Sequence, residues 1–294
     1  MKGRHGLVIA IIVGVVGSLA YALSQFVHNP VVLDPKGSVG VQQRDLLLLA
    51  TLIMLIVVVP VFALTAYIAR QYRASNKKAT YTPRADASRA LEILWWGIPI
   101  VIVGILSVIA WQTSHTLDPF RPIGHDAPYR VRVIALEWKW LFLYPDYKTA
   151  SVNELVIPVG RTVAFDIASD APMNSFWIPE LGGQIYAMAG MSTQLHLVAD
   201  KAGQYQGVSS NLSGDGFADM KFIARAMNEA DLTSWHYTAA VSDNHLSMSS
   251  YELLARPSTV AQPVTYRLDE PELYQMVIDK YGLPHSTMAG EGSY

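Results

Sequence analysis

The sequence predicts a membrane α plus all-β protein: a transmembrane helical hairpin behind an N-terminal signal or anchor helix, then an exported β sandwich or barrel and a short helical C-terminal region. Three observations predict it. Of 294 residues, 51% are hydrophobic and 16% charged, against about 25% charged in ordinary soluble proteins, and the excess lies in three uncharged apolar runs. From Tyr129 onward, short alternating stretches are broken at intervals by proline and glycine. After Asn228 the alternation gives way to helical spacing.

Residues 6–27 follow Lys2, Arg4 and His5 and contain no charge. With the small-residue pattern Ala20-Tyr21-Ala22, they read equally as a secretory signal cut after Ala22 or as a retained anchor, giving an N-terminal segment 1–27. A connection, 28–45, follows. The second run, 46–69, has 24 residues between Asp45 and Arg70, and the third, 93–117, has 25 between Glu92 and Asp118. A spanning helix needs about 20 predominantly apolar residues, so both qualify. Pro60 and Pro99 are tolerable, because neighbouring groups in a membrane can satisfy the backbone they free. Buried helices of a soluble protein would normally keep a polar face.

Charge sets the orientation. The 70–92 loop carries Arg70, Arg73, Lys77, Lys78, Arg84 and Arg89 against Asp86 and Glu92, and positive loops stay in the cytoplasm. The rest of the chain is then outside; from Ser114 it holds 20 acidic and 12 basic residues, a net charge near −8. Within 118–228, Val131-Arg132-Val133 begins one strand. Val163, Phe165 and Ile167 face away from Thr162, Ala164 and Asp166, and Leu195 and Leu197 alternate with Gln194 and His196. Turn signals recur at Pro145, Pro158, Pro172, Pro179, Gly182-Gly183, Gly190, Gly203 and Gly214, as expected of a sandwich or barrel. In the aromatic-rich region 229–294, helices are expected around 231–235, 249–254 and 271–281, the last opened by Pro271 and closed by Gly282 and Pro284.

The chemistry is defined largely by exclusion. Cysteine is absent, which removes disulfides, iron–sulfur clusters, thiolate metal sites and cysteine nucleophiles. A formal charge of −2 gives no case for nucleic acid. None of the eight histidines lies three to five residues from another, and no metalloprotease, hydrolase or P-loop motif occurs. His196 reads as a hydrogen-bonded surface residue and His115 as interfacial. Met188 and Met191 could offer thioethers to copper, although core filling is the ordinary use of methionine. The run Trp138-Lys139-Trp140-Leu141-Phe142-Leu143-Tyr144 reads either as strand packing or as a docking ridge near the membrane surface. On a strand, Trp138 and Trp140 would share a face. No catalytic or metal-binding residue is expected in this chain.

Several motifs in order give a closer reading. They are Leu33-Asp34-Pro35-Lys36-Gly37, Tyr72-Arg73-Ala74-Ser75-Asn76-Lys77, Glu137-Trp138-Lys139-Trp140, Asn153-Glu154 and Met173-Asn174-Ser175-Phe176-Trp177-Ile178-Pro179. Two more are Gln184-Ile185-Tyr186-Ala187-Met188-Ala189-Gly190-Met191 and Ser213-Gly214-Asp215-Gly216-Phe217-Ala218-Asp219-Met220, followed by aromatics around Tyr266 and Leu273-Tyr274. After two membrane helices, this series resembles subunit II of the haem–copper oxidases, specifically the ubiquinol oxidase branch of cytochrome bo type, from about Val32 to the end.

The resemblance implies a cupredoxin-like β sandwich on the periplasmic side of a bacterial inner membrane. It implies a non-catalytic subunit of a proton-pumping oxidase that oxidises quinol and reduces oxygen to water. The haems and copper would belong to subunit I, which would also bind most of the quinol; subunits III and IV and membrane lipid would be the other partners. Copper-bearing relatives hold a dinuclear centre with an early His and a C-x-x-x-C-x-x-x-H-x-x-M loop. Here Asn174 stands at the first His, Val208 and Leu212 at the cysteines, and Gly216 at the second His. Asp219 stands at the Met position, with Met220 one residue beyond. Ser210 stands where copper-bearing relatives carry an acidic residue between the cysteines, and a lipidated cysteine is excluded. Glu92, in Leu91-Glu92-Ile93-Leu94-Trp95, matches a glutamate at the mouth of a proton pathway into subunit I. Trp138 and Trp140 match a segment lying against subunit I.

Two other functions compete. A cytochrome c oxidase subunit II would suit the acidic outer domain but lacks its copper ligands. A membrane-tethered cupredoxin-like binding module acting without an oxidase would differ by failing to copurify with haem. The topology is open to test: in intact spheroplasts, protease should cut the domain beyond Leu117 and spare the 70–92 loop. An exposed loop with a shielded C-terminal domain would overturn the orientation.

Overall fold

The computed structural model describes residues 30–77, 88–124 and 126–282, with Gly17 and Tyr21 besides. Apart from those two residues, the signal-or-anchor segment lies outside the described residues, as does the tail after Gly282. The chain forms two compact units, one containing Asp45–Thr116, the other combining Val31–Arg44 with the chain from Leu117 onward.

The first unit holds the apolar helices. Helix α1 spans Ser38–Gln71 and α2 spans Arg89–Thr116; their most apolar stretches have mean hydropathies of 3.0 and 2.4. Both are long and apolar enough to cross a membrane. Pro60 and Pro99 lie inside them. Their threonines turn back on the helix: Thr51 and Thr65 donate to the carbonyls of Leu47 and Val61 at 2.7 and 2.8 Å, and Thr113 to that of Ile109 at 2.8 Å. A hydroxyl bonded within its own helix spares a membrane-facing surface an open donor. At the end of α1, Asn76 Nδ2 donates to the Gln71 carbonyl at 2.6 Å, giving the 72–77 motif a capping role.

The second unit is a sandwich. Its strands are β1 (Tyr129–Leu136), β2 (Lys139–Tyr144), β3 (Thr149–Val152), β4 (Glu154–Pro158), β5 (Val163–Ser169), β6 (Asn174–Trp177), β7 (Ile185–Ala187), β8 (Thr193–Leu197), β9 (Gly203–Ser209), β10 (Lys221–Met227), β11 (His245–Leu246) and β12 (Val264–Leu268). One sheet runs β11-β12-β3-β2-β1-β5-β8 and the other β4-β10-β9-β6-β7. The pairs β1/β5, β4/β10 and β11/β12 are parallel; the remainder are antiparallel. Three helices follow the sandwich: α3 (Glu229–Ala240), α4 (Met248–Leu254) and α5 (Leu273–Asp279).

Strand β2 organises both sides of its sheet. Side chains alternate across a strand. Trp140, Phe142 and Tyr144 enter the core between the sheets, whereas Leu141 and Leu143 enter a second core with Leu246, Tyr251, Leu268, Leu273, Tyr274 and Val277. All six residues of β2 are buried. Between the sheets, the Trp140 ring lies edge-on to Phe176 at 5.4 Å, and Phe176 stacks on Phe222 at 5.2 Å. Enclosing an indole contributes roughly 4–6 kcal/mol.

The C-terminal region, expected to be helical, carries these three helices and also adds strands. Val264-Thr265-Tyr266-Arg267-Leu268 alternates β-branched and aromatic residues, a strand pattern, and β12 extends the sheet against β3. Near α4 and α5, the Asp170 carboxylate accepts from Tyr251 Oη at 2.6 Å, Tyr281 Oη at 2.6 Å and Lys280 Nζ at 2.7 Å. Burial works to raise its pKa, but these three donors outweigh it and hold the carboxyl below the usual range.

The start of α1 joins this unit. Lys36 N donates to the Glu180 carbonyl at 2.7 Å and Gly40 N to that of Leu181 at 3.0 Å. A Cβ on Gly37 would sit 2.3 Å from the Val198 carbonyl oxygen, so only glycine fits this approach.

Helix α3 is secured by His236. Its Nε2 lies 2.6 Å from Tyr129 Oη and its Nδ1 2.8 Å from Thr149 Oγ1, and its ring stacks on Tyr147 at 3.9 Å. Burial lowers its pKa from 6.5 to about 4. The unfolded chain thus takes up a proton below pH 6.5 that the folded chain refuses until about pH 4. Stability from this group is complete above that window and lost as pH falls through it, by at most about 1.4 kcal/mol per pH unit. Thermal melts of the purified chain at pH 7 and 4.5 should show His236→Phe with a shallower acid loss than wild type.

Candidate functional site

The positions that match copper ligands in the family converge at one end of the sandwich, where β6 begins and β9 ends. Asn174 is fully buried. Its Nδ2 donates to the Pro172 carbonyl at 2.7 Å and its Oδ1 accepts from Ser209 Oγ at 3.0 Å, so both ends of the amide are used. Val208 is a strand residue whose backbone faces Trp177 and Lys221. Leu212 is 77% exposed. Met220 is buried, its sulfur 3.9 Å from Ser213 Oγ. Ser210 Oγ donates to Gln184 Oε1, and Asp219 is exposed.

Trp138 fills the space over Gly216. The chain turns between β1 and β2 through Glu137 and Trp138, with Trp138 at φ 64°, a left-handed conformation rare for a bulky residue. Its Nε1 donates to the Ser213 carbonyl at 3.1 Å. A Cβ on Gly216 would fall 2.4 Å from the indole. A histidine could not stand at 216 without moving Trp138.

This corrects the expectation for the aromatic run. Trp138 is a turn residue, so it shares no strand face with Trp140. Trp140 is fully enclosed in this chain's own core and has no surface to offer a partner; Trp138, half-buried, retains some. His196 is 8% exposed, with Nδ1 3.0 Å from the Pro119 carbonyl, so it is a buried residue and not a surface one. Met191 is 53% exposed, so it does not fill a core.

A thiolate-bridged copper centre does not fit these residues. Thiolates and imidazoles suit copper; here the matching positions carry an amide, two alkyl groups and a hydrogen, in a chain without cysteine. Among the described residues, no three His, Asp or Glu side chains gather as a metal site. Glu92 lies elsewhere, exposed in the first turn of α2, where the helix dipole favours a negative charge.

Comparison with known proteins agrees with this geometry. Residues 149–227 match the family model for the periplasmic domain of cytochrome c oxidase subunit II. Cytochrome bo(3) ubiquinol oxidase subunit 2 of Pseudomonas putida is 47% identical over 86% of this chain and 81% of its own. The ubiquinol oxidase subunit 2 of Acetobacter aceti is 46% identical over 85% and 82%. The chain belongs to the subunit 2 family of the ubiquinol oxidases. It is thus a membrane-anchored subunit of a quinol-oxidising complex, and its sandwich is the family's cupredoxin-like domain. Among solved structures, the periplasmic domain of cytochrome oxidase subunit II of Bradyrhizobium japonicum aligns over 40% of this chain and 96% of its own. That alignment has 24% identity and a TM-score of 0.37, too low to add to the assignment.

Sequence reasoning missed Asn153. Its Oδ1 accepts from Trp140 N at 2.9 Å, its Nδ2 donates to the Val260 carbonyl at 3.1 Å, and its φ is 58°. Asparagine tolerates left-handed backbone better than most residues, so the Asn153-Glu154 motif was the available signal.

The fit of Trp138 over Gly216 makes a double-mutant cycle informative. Gly216→Ala should cost about 1–3 kcal/mol through overpacking. In a Trp138→Ala background most of that cost should vanish, giving a coupling of at least about 1 kcal/mol. Additive losses in thermal or denaturant unfolding would show that the two do not share this space.

Proposed function

We propose that this chain is the non-catalytic subunit of a quinol-fed terminal oxidase in a bacterial inner membrane, with its sandwich on the periplasmic side. Its partners are the haem- and copper-bearing subunit I, subunits III and IV and membrane lipid. Its work is to assemble with and hold subunit I, which oxidises quinol, reduces oxygen to water and moves protons. The observation that carries this reading is the residue set at 174, 208, 212 and 216. Without thiolate or imidazole there, single electrons from a soluble cytochrome have no copper at which to enter. Electrons then come from within the membrane, from a lipid-soluble quinol bound mainly by subunit I.

The orientation is supported by the basic 70–92 loop, and Trp138 is the aromatic group of the former ridge with surface left for a neighbouring subunit. The purified complex should consume oxygen with reduced quinol and fail with reduced cytochrome c. Robust cytochrome c oxidation, with no additional cytochrome subunit present, would overturn the assignment.

Glu92 is assigned to the entrance of a proton route into subunit I. It stands at the cytoplasmic end of α2 in this orientation, where a carboxylate can collect and relay protons. Glu92→Gln and Glu92→Ala should slow turnover and leave haem content intact. Unchanged oxygen uptake by Glu92→Ala at saturating quinol would remove the role.

A further inference from the structure

Lys139 is a charge in a place built for apolar side chains. It is fully buried, and strand alternation puts it on the same side of β2 as Leu141 and Leu143, facing the C-terminal cover. Its Nζ donates to the carbonyls of Arg256 at 2.8 Å and Ser258 at 2.9 Å and to Ser258 Oγ at 2.7 Å, which uses its three N–H groups, and the Glu137 carbonyl is a fourth, longer neighbour at 3.3 Å. No carboxylate pairs with it among the described residues. Three of the four oxygens are carbonyls, which can only accept. Such a shell suits a protonated amine and leaves a neutral one short of donors. Burial pulls the lysine pKa down from its ordinary value, and the charge of Glu137 opposes that pull.

The shell is assembled from two distant pieces of chain. Glu137 belongs to the turn that places Trp138, whereas Arg256 and Ser258 flank Pro257 just beyond α4, outside the 149–227 stretch that matches the family domain. Asn153 Nδ2 holds the same segment at the Val260 carbonyl, at 3.1 Å. A buried charge whose neighbours need it can fix one arrangement of a surface that apolar contacts alone would leave free to slide.

We propose that the Lys139 ammonium serves as an internal monovalent cation, and that the oxygens of Glu137, Arg256 and Ser258 form a cation site whose occupation docks the 255–263 segment on the sandwich. The ligand class of the site is a small primary ammonium ion, which the chain supplies from its own side chain. This assignment is independent of the role in an oxidase. Loss of the ammonium leaves these oxygens turned toward the sandwich without a donor, and the segment lifts to recover water.

The test is hydrogen exchange on the full-length chain in detergent. Lys139→Ala, which empties the site and opens room, should speed exchange at the Ala255 and Arg256 amides, the hydrogen-bonded ones of the segment, by about tenfold to a hundredfold, the range for losing hydrogen bonds to a charge, while β9 and β10 stay protected. Ethylammonium chloride should restore protection to Lys139→Ala; tetramethylammonium, which has no N–H, should not. Lys139→Met, which fills the room without a donor, should expose the segment and resist rescue by either salt. Unchanged protection in Lys139→Ala, or equal rescue by the two salts, would overturn the proposal. If Lys139→Ala does not accumulate, Ser258→Ala, at an exposed position that removes one oxygen, decides the matter: faster exchange confined to 255–263 supports the cation site, and unchanged exchange overturns it.

Discussion

The burial of β2 on both faces is the constraint from which most of the soluble unit follows. A strand enclosed on one side needs one partner layer; β2 needs two. Its even-numbered residues require the five-stranded sheet, which brings Phe176 and Phe222 against Trp140 and Phe142. Its odd-numbered residues require the C-terminal helices and β12. Removing either layer would put several large apolar side chains into water, at about 1.5–3 kcal/mol each. The C-terminal region is therefore a structural layer of the domain and not an appendage.

The two layers are fastened differently. Between the sheets the contact is largely aromatic, with rings in edge-on and stacked arrangements. On the outer side, polar groups complete the contact: Asp170 receives Tyr251, Lys280 and Tyr281, and Lys139 is received by the chain after α4. Apolar contact is non-directional, whereas a charge with a full hydrogen-bond shell accepts one arrangement.

The end of the sandwich that carries electrons in copper-bearing relatives is here an ordinary piece of packed protein. Asn174 spends its amide on Pro172 and Ser209, and Gly216 yields its side-chain volume to an indole. Asn174 and Gly216 are thus accommodated by their neighbours, whereas Leu212 lies exposed. The left-handed backbone at Trp138 is held by the hydrogen bond to Ser213 and by the contact over Gly216, so the conformational cost is met locally.

The membrane helices, the strand-rich domain and the absence of a thiolate copper site were all legible in the sequence, because each depends on properties that add along the chain. Hydrophobic length decides whether a segment can span, a period of two marks a strand, and a missing residue type cannot be supplied by folding. Even the β12 strand had its signal in alternating Val264, Tyr266 and Leu268. What covers the second face of a strand is another matter. The run from Trp138 to Tyr144 reads the same whether one side meets solvent, a partner or its own chain. Only tertiary structure decided that Trp140 faces Phe176 and Phe222, that Trp138 leaves the strand to lie over Gly216, and that Lys139 meets Arg256 and Ser258. The physical reason is sequence separation: Lys139 stands 117 and 119 residues from the Arg256 and Ser258 carbonyls, and local propensity carries no information about which distant backbone will arrive with its oxygens pointing inward.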